Sequence, residues 1–219
     1  MLDRFDRRVI PDSVLDLVRF VQQREDCHLA GGAALSGAHL AHRLSADIDL
    51  FVHEAAAHRR VCRLVQDAVL HAGGTSVVVR DGGSFWRAQL SLGSASLECD
   101  VVHESVQDIE PPPAPIEGVV VESLVDLRAA KLTCLLSRSE PRDLVDVLFL
   151  ERAGFRPEDD IEAALRKDAG VDPAILAWLL KDFPVEPLPQ MLAPLSVEEL
   201  RAYRDDLCMR FRRLAVPGQ

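Results

Sequence analysis

Two aspartates one residue apart, Asp47 and Asp49 in Ala46-Asp47-Ile48-Asp49-Leu50-Phe51-Val52, are the first residues in this chain whose types and spacing suggest chemistry. The segment alternates polar and apolar like a half-buried strand, which puts both carboxylates on one face about 6 to 7 Å apart. Carboxylates so placed suit a hard, oxygen-seeking cation such as Mg²⁺. Strand aspartates are common, however, and the pair alone does not make a site. Upstream stand Gly31 and Gly32. Without side chains there, a triphosphate can approach backbone N–H groups at the start of the following helix, whose dipole favours anions. The plain alternative is a strand-to-helix turn. A third carboxylate, Asp100, lies in Leu97-Glu98-Cys99-Asp100-Val101-Val102, with Leu97, Cys99 and Val101 facing one way and Glu98 and Asp100 the other. If its strand neighbours the first, two Mg²⁺ ions bridged by these carboxylates can activate a hydroxyl nucleophile and stabilise a departing pyrophosphate.

Cations are easy to weigh here, because the only lysines are Lys131, Lys167 and Lys181. Lys131 sits among Leu127, Ala129, Ala130, Leu132, Leu135 and Leu136, a helical apolar stretch in which the stem is expected to be buried while the ammonium emerges. It is either a snorkelling surface lysine or a charge aimed at phosphate. Arg43, Arg138 and Arg142 either contact phosphate or pair with aspartates. Arg201, Arg204, Arg210, Arg212 and Arg213 make the final helix basic. They form a solvated face, salt bridges to the many acids or, with Arg138 and Arg142, a surface for an RNA backbone. His39 and His42, or His53 and His58, find no third ligand that completes a zinc pattern, so surface or helix-edge positions are expected. Cys27 beside His28 is no evidence for a thiol nucleophile, and there is no GxSxG elbow.

The elements that must position these groups follow from periodicity and turn residues. Apolar spacing predicts a helix over 12–24, with Asp12 or Ser13 as its cap, a short one over 33–42, and a third over 54–72 that ends at Gly73-Gly74. Strands are predicted over 46–52, 75–80, 84–92 and 95–102; the last three are joined by turns at Asp81-Gly82-Gly83 and Gly93-Ser94 and should be antiparallel neighbours. Pro111-Pro112-Pro113-Ala114-Pro115 reads as a stiff connector. Beyond it, helices are predicted over 123–137, 141–153, 157–169, 172–181 and 196–214. The expected architecture is α/β (α+β): residues 1–115 with a short mixed or antiparallel sheet flanked by helices, then a helical domain over 116–219.

Composition narrows the function classes. The 219 residues are 48% hydrophobic and 27% charged, enough apolar mass for a real core. No run approaches a membrane span, and the N-terminus is too charged for a signal peptide, so a soluble cytoplasmic protein is expected. Five scattered cysteines, never in a CxxC pair, suggest neither a disulfide framework nor a cysteine zinc site. A net charge of -10 argues against broad adhesion to a phosphate backbone, though a local basic surface is compatible with it.

Two stretches, Leu29-Ala30-Gly31-Gly32-Ala33-Ala34-Leu35 and Arg43-Leu44-Ser45-Ala46-Asp47-Ile48-Asp49-Leu50-Phe51, resemble the GG-x-AL...R-x-S-x-D-x-D-LF signature of the AbiEii/AbiGii nucleotidyltransferase-like toxins. These belong to the DNA polymerase β superfamily. The resemblance continues at Lys131 and at Arg138...Arg142-Asp143-Leu144-Val145-Asp146-Val147-Leu148-Phe149-Leu150, and covers roughly residues 27–150. It implies a polymerase β-like nucleotidyltransferase domain over 1–115 and a helical domain over 116–219, with the active site in the cleft. Asp47 and Asp49 would hold Mg²⁺ or Mn²⁺, with Asp100 as third carboxylate. Gly31, Gly32 and Ser45 would line the phosphates, and Lys131 would neutralise the triphosphate of the incoming NTP. Asp143 or Asp146 would complete the site, the other orienting Arg138 or Arg142.

The implied reaction is Mg²⁺-dependent transfer of a nucleoside monophosphate from an NTP to an acceptor hydroxyl. The implied role is growth inhibition as the toxin of a type IV-like toxin–antitoxin system in bacteria. A tRNA 3′ end is the expected acceptor and a cognate antitoxin the expected partner, acting by binding or by modifying Ser45. A small-molecule or protein acceptor, or a catalytically inactive nucleotide-binding module, are the alternatives. Asp47→Ala and Lys131→Ala are each expected to abolish transfer and leave the fold intact.

Overall fold

The computed structural model describes residues 3–216, which divide into two units, one ending at Ser123 and the other beginning at Leu124. Residues 1–2 and 217–219, the outer ends of the two expected domains, lie outside the described residues. In the first unit the order is α1 (Asp12–Gln22), β1 (His28–Ala30), α2 (Gly31–Ala34), β2 (Asp47–Val52), α3 (Ala55–His71), β3 (Thr75–Gly82), β4 (Phe85–Leu92) and β5 (Ala95–His103). The strands form one mixed sheet in the order β1-β2-β5-β4-β3. β2 and β5 run parallel, and every other neighbouring pair is antiparallel. A parallel pair needs a crossover, and α3, β3 and β4 supply it.

Alternation along the strands separates a core face from a polar face. Ile48, Leu50 and Val52 are buried, as are Trp86, Ala88, Leu90 and Leu92 of β4 and Cys99 and Val101 of β5. α3 packs on β2, β4 and β5 and also meets α1. The predicted stripe of α1, Val14, Leu15, Leu17, Val18 and Val21, is buried throughout. α1 begins at Pro11 with no side-chain cap, so neither Asp12 nor Ser13 caps it as expected. Asp12 lies one position further in, in the first turn, where its charge favours the dipole.

The helix expected over 33–42 starts instead at Gly31 and passes at Leu35 into a π-helical turn, Leu35–Leu40. The Ala41 N–H donates to the Ser36 carbonyl, five residues back, and the Ser36 hydroxyl donates to the Arg43 carbonyl at 2.6 Å. These bonds end the helix and lead the chain into β2. β1 is too short to be predicted from pattern, yet all three of its residues pair with β2, Ala30 opposite Asp49. Its Leu29 N–H donates to the Val120 carbonyl at 3.0 Å and its carbonyl accepts from Glu122 at 2.9 Å. That pairing is why 116–123 falls with the first unit and not with the helices beyond the proline run.

The second unit contains α4 (Leu124–Ser137), α5 (Pro141–Arg152), α6 (Ile161–Lys167), α7 (Pro173–Leu180) and α8 (Val197–Ala215). The helix expected over 157–169 is split by a 3₁₀ turn at Pro157–Asp160. Asp172 caps α7, accepting from Ala174 and Ile175, and Ser196 with Glu199 forms a capping box on α8. α5 places Asp143 and Asp146 one helical turn apart, facing α4. Lys131 Nζ lies 2.7 Å from Asp146 and 3.4 Å from Asp143, and Arg138 donates to both oxygens of Asp143 at 2.8 and 2.9 Å. The Lys131 ammonium therefore does not emerge: its side chain is 3% exposed, and both aspartates are fully buried. Lys131 and Arg138 meet Asp143 and Asp146 in this cluster.

Removing one member of such a cluster leaves a buried charge uncompensated. Lys131→Met should lower unfolding free energy by about 3–5 kcal/mol, measured by urea denaturation, and Lys131→Met/Asp146→Leu should recover much of the loss. Unchanged stability of the single variant would show that the cluster does not hold α4 to α5. By the same argument Lys131→Ala should cost stability, a correction to the expectation that it leaves the fold intact.

Candidate active site

The parallel register of β2 and β5 sets Asp49 opposite Asp100 and Asp47 opposite Glu98. All four side chains belong to the polar face of the sheet. β4 adds Arg87, opposite Asp100 on the other side. Its guanidinium grips both Asp100 oxygens at 2.7 and 2.6 Å and reaches Glu98 at 3.1 Å. Asp100 is buried. Its hydrogen bonds are the main cause that raises the Arg87 pKa above its ordinary value, opposed by desolvation.

Sequence reasoning missed Arg87, although the signal was present. A two-residue turn at Gly93-Ser94 pairs Leu92 with Ala95, and counting back along that ladder puts Arg87 beside Asp100.

The two glycines are required by close approach. A Cβ on Gly31 would lie 1.9 Å from Asp49 Oδ2, and the residue has φ +66. A Cβ on Gly32 would lie 2.6 Å from Arg43 Nη2 and 3.1 Å from Ser45 Oγ. The Ser45 hydroxyl donates to Asp47 Oδ1 at 2.9 Å. Arg43 is buried and donates to the Leu44 carbonyl at 2.9 Å. Gly31, Gly32, Arg43, Ser45, Asp47, Asp49 and Asp100 thus occupy one corner of the sheet. α2 is only four residues long before the π turn, so the cradle rests on the glycines more than on a helix dipole.

The donor set fits a hard divalent cation. Asp47 and Asp49 offer carboxylate oxygens from one strand face, and the missing Cβ of Gly31 lets the Asp49 carboxylate lie directly against the backbone. Asp100 accepts one hydrogen bond from Arg87 on each oxygen, so as a third carboxylate it would bind the cation through its remaining lone pairs while Arg87 offsets part of its charge.

In the second unit Lys131, Asp143, Asp146 and Arg138 form the buried cluster already described, with Asp146 the nearer partner of Lys131 and Asp143 the partner of Arg138. Arg142 Nε lies 2.5 Å from Glu140. Among the tail arginines, Arg210 reaches Glu151, Glu158 and Asp206 at 2.7 to 2.9 Å. Arg204 meets Asp205 at 2.8 Å and the Phe183 carbonyl at 3.1 Å. For those two the salt-bridge alternative describes the structure, whereas Arg212 and Arg213 are exposed.

Of the four histidines expected at surface positions, His39, His42 and His58 are buried and His53 is part-buried; His28 is buried as well. Burial pushes His39 down to about 4, which keeps it neutral. His58 Nε2 is 3.1 Å from the Val101 carbonyl. Sequence spacing also missed a grouping of His28 and His53 with Asp108. The Cys27 thiol is pushed up to about 12 by burial, in keeping with an unreactive side chain.

Known proteins share this architecture. A candidate nucleotidyltransferase from H. pylori superposes with a TM-score of 0.61 at 17% identity, covering 93% of each chain. JHP933 from Helicobacter pylori gives 0.59 at 18% identity over 94% of each chain. MenT4, a nucleotidyltransferase toxin from Mycobacterium tuberculosis H37Rv, gives 0.56 at 16% identity over 95% of this chain and 89% of its own. At such identities the likeness concerns the fold. Among curated protein sequences none matches. The model of the nucleotidyl transferase AbiEii toxins of type IV toxin–antitoxin systems matches residues 15–215, nearly the whole chain and both units, and the chain belongs to that family of nucleotidyltransferase toxins.

Proposed function

We propose that the chain transfers a nucleoside monophosphate from an NTP to an acceptor hydroxyl in a Mg²⁺-dependent reaction, with a tRNA 3′ end as acceptor. The observation that carries this reading is the register that sets Asp49 beside Asp100, with Asp47 on the same face and the Asp49 carboxylate against the bare backbone of Gly31. Mg²⁺, or Mn²⁺ in its place, would supply charge stabilisation for the departing pyrophosphate and acidify the attacking hydroxyl. Asp47 and Asp49 would hold it, with Asp100, oriented by Arg87, as the third carboxylate. Ser45 orients Asp47 through its hydrogen bond, and Gly31, Gly32, Ser45 and Arg43 would line the phosphates.

Lys131 is assigned to the triphosphate charge on the family pattern, with Asp146 as its holder and Asp143 as the holder of Arg138. The cytoplasm, which supplies NTPs and tRNA, is the proposed place of action, and a cognate antitoxin the proposed restraint. No helix among the described residues is long and apolar enough to cross a membrane.

A second reading keeps the chemistry and changes the acceptor to a small molecule or protein. The net charge of -10 and the engagement of Arg204 and Arg210 in ion pairs favour it, because they reduce the basic surface available to RNA. An inactive nucleotide-binding module is disfavoured by the presence of all the carboxylates.

Incubation with Mg²⁺, each α-labelled NTP in turn and total tRNA should put label into tRNA with the native chain and none with Asp47→Ala. Labelling of another acceptor would select the second reading. NTP binding with no acceptor labelled would leave the inactive nucleotide-binding module, and failure to bind any NTP would contradict all three readings.

Gly31→Ala tests the cradle itself. A left-handed alanine costs about 1–2 kcal/mol, a Tm decrease of about 2–8 °C in a chain of this size. The Cβ would also push the Asp49 carboxylate aside, so transfer should fall as far as in Asp49→Ala. Native turnover in Gly31→Ala would show that Asp49 does not work from this position.

A further inference from the structure

At the other end of β2, three segments that sequence spacing keeps apart come together. His28 opens β1, His53 follows β2, and Asp108 lies in the segment after β5; one ligand atom from each falls within 4.8 Å of the other two. All three line an open cleft of about 780 Å³, with Glu25, Phe51 and Arg60 among its other walls. His28 is buried, its ring 5.6 Å from that of His53 between centroids. The Asp108 segment is pinned at its start, where the Glu104 N–H donates to the Val52 carbonyl and the Val106 N–H to the Glu104 side chain.

The His53 ring reveals what the cluster is suited to hold. Its Nδ1 lies 3.1 Å from the Glu104 carbonyl. A carbonyl only accepts, so Nδ1 carries a hydrogen, and in the neutral ring Nε2 is then left with a lone pair. That lone pair lies 3.0 Å from Asp108 Oδ1. Both atoms are buried, and neither makes a hydrogen bond, so the approach is not that of an aligned N–H donor. With the ring neutral, two acceptors at this distance repel unless a cation lies beside both; an imidazolium paired with Asp108 is the metal-free alternative, which binding of Zn²⁺ would exclude. With bonds of about 2.0–2.1 Å, neighbouring ligand atoms of a tetrahedral zinc site are about 3.3 Å apart, close to what is seen. A carbonyl that fixes the ring through its other nitrogen is also the usual support of a metal-bound histidine.

We propose that His28, His53 and Asp108 form a site for a divalent transition metal, Zn²⁺ by the chemistry of its ligands, with an open coordination position facing the cleft. Two imidazoles and one carboxylate select Zn²⁺ over Mg²⁺, which prefers oxygen donors. The site is distinct from the Asp47, Asp49 and Asp100 carboxylates and does not depend on the function assigned to them. Bound metal ties together β1, the end of β2 and the segment following β5.

The test is calorimetric titration of the metal-stripped full chain with Zn²⁺ in a large excess of Mg²⁺, paired with Co²⁺ absorption spectra that report nitrogen and oxygen ligation. One equivalent of Zn²⁺ should bind. His53→Ala and the isosteric Asp108→Asn each remove a ligand and should weaken binding at least as much as the roughly 10–100-fold seen for losing an outer-shell partner, while Asp47→Ala leaves it unchanged. Zn²⁺ should raise the Tm of the native chain and not that of Asp108→Asn, a comparison that holds even if His53→Ala folds poorly. No binding in excess Mg²⁺, or binding that Asp108→Asn leaves intact, would overturn the proposal.

Discussion

The structure depends above all on the parallel pairing of β2 with β5. Hairpins join β3, β4 and β5 locally, and their partners could be guessed from turns alone. The β2–β5 ladder instead closes across α3 and two intervening strands, so its loop-closure cost falls on the whole unit and its hydrogen bonds form only when the core beneath it does. The core beneath that ladder consists of Ile48, Leu50, Val52, Cys99 and Val101, which are covered by α3. A slip of β2 by one residue would send Ile48, Leu50 and Val52 to the polar face and turn Asp47 and Asp49 inward. The packing that stabilises the sheet therefore also sets which carboxylates meet.

Ionic contacts then refine what the packing allows. Arg87 neutralises Asp100 on the polar face, and Lys131 with Arg138 neutralises Asp143 and Asp146 within the second unit. Lys167 with Asp126 follows the same pattern at 2.7 Å, both side chains buried. Pairs of this kind add little net stability over well-packed apolar groups, because each ion loses water, but a missing or misplaced partner is costly. Their effect is to penalise alternative registers and helix rotations. The glycines act in the same direction: Gly31 and Gly32 are needed because Asp49, Arg43 and Ser45 occupy the volume that side chains there would take.

What was legible in the sequence was local. The alternation of 47–52, the glycine turns of the β3–β5 meander and the apolar stripes of α1 and α3 predicted those elements to within a few residues, since period and turn chemistry act over short range. The motif around Gly31, Gly32, Asp47 and Asp49 located the candidate site for the same reason. Non-local arrangements were not legible. β1 has three residues and exists only by pairing with β2. The parallel sense of β2 and β5 is a property of the assembled sheet. Lys131 looked like a snorkelling residue because its own helix is apolar around it, while the carboxylates that bury its head come from α5. His28, His53 and Asp108 converge from three segments with no common spacing, so a search for regular ligand patterns passed over them.

The most direct measurement is anomalous diffraction from crystals grown with Mn²⁺ and a non-hydrolysable NTP. The register of β2 and β5 predicts a manganese peak at about 2.1 Å from carboxylate oxygens of both Asp47 and Asp49, with the triphosphate against Gly31 and Gly32. Bound nucleotide whose metal touches neither aspartate would contradict the assignment of this corner of the sheet as the active site.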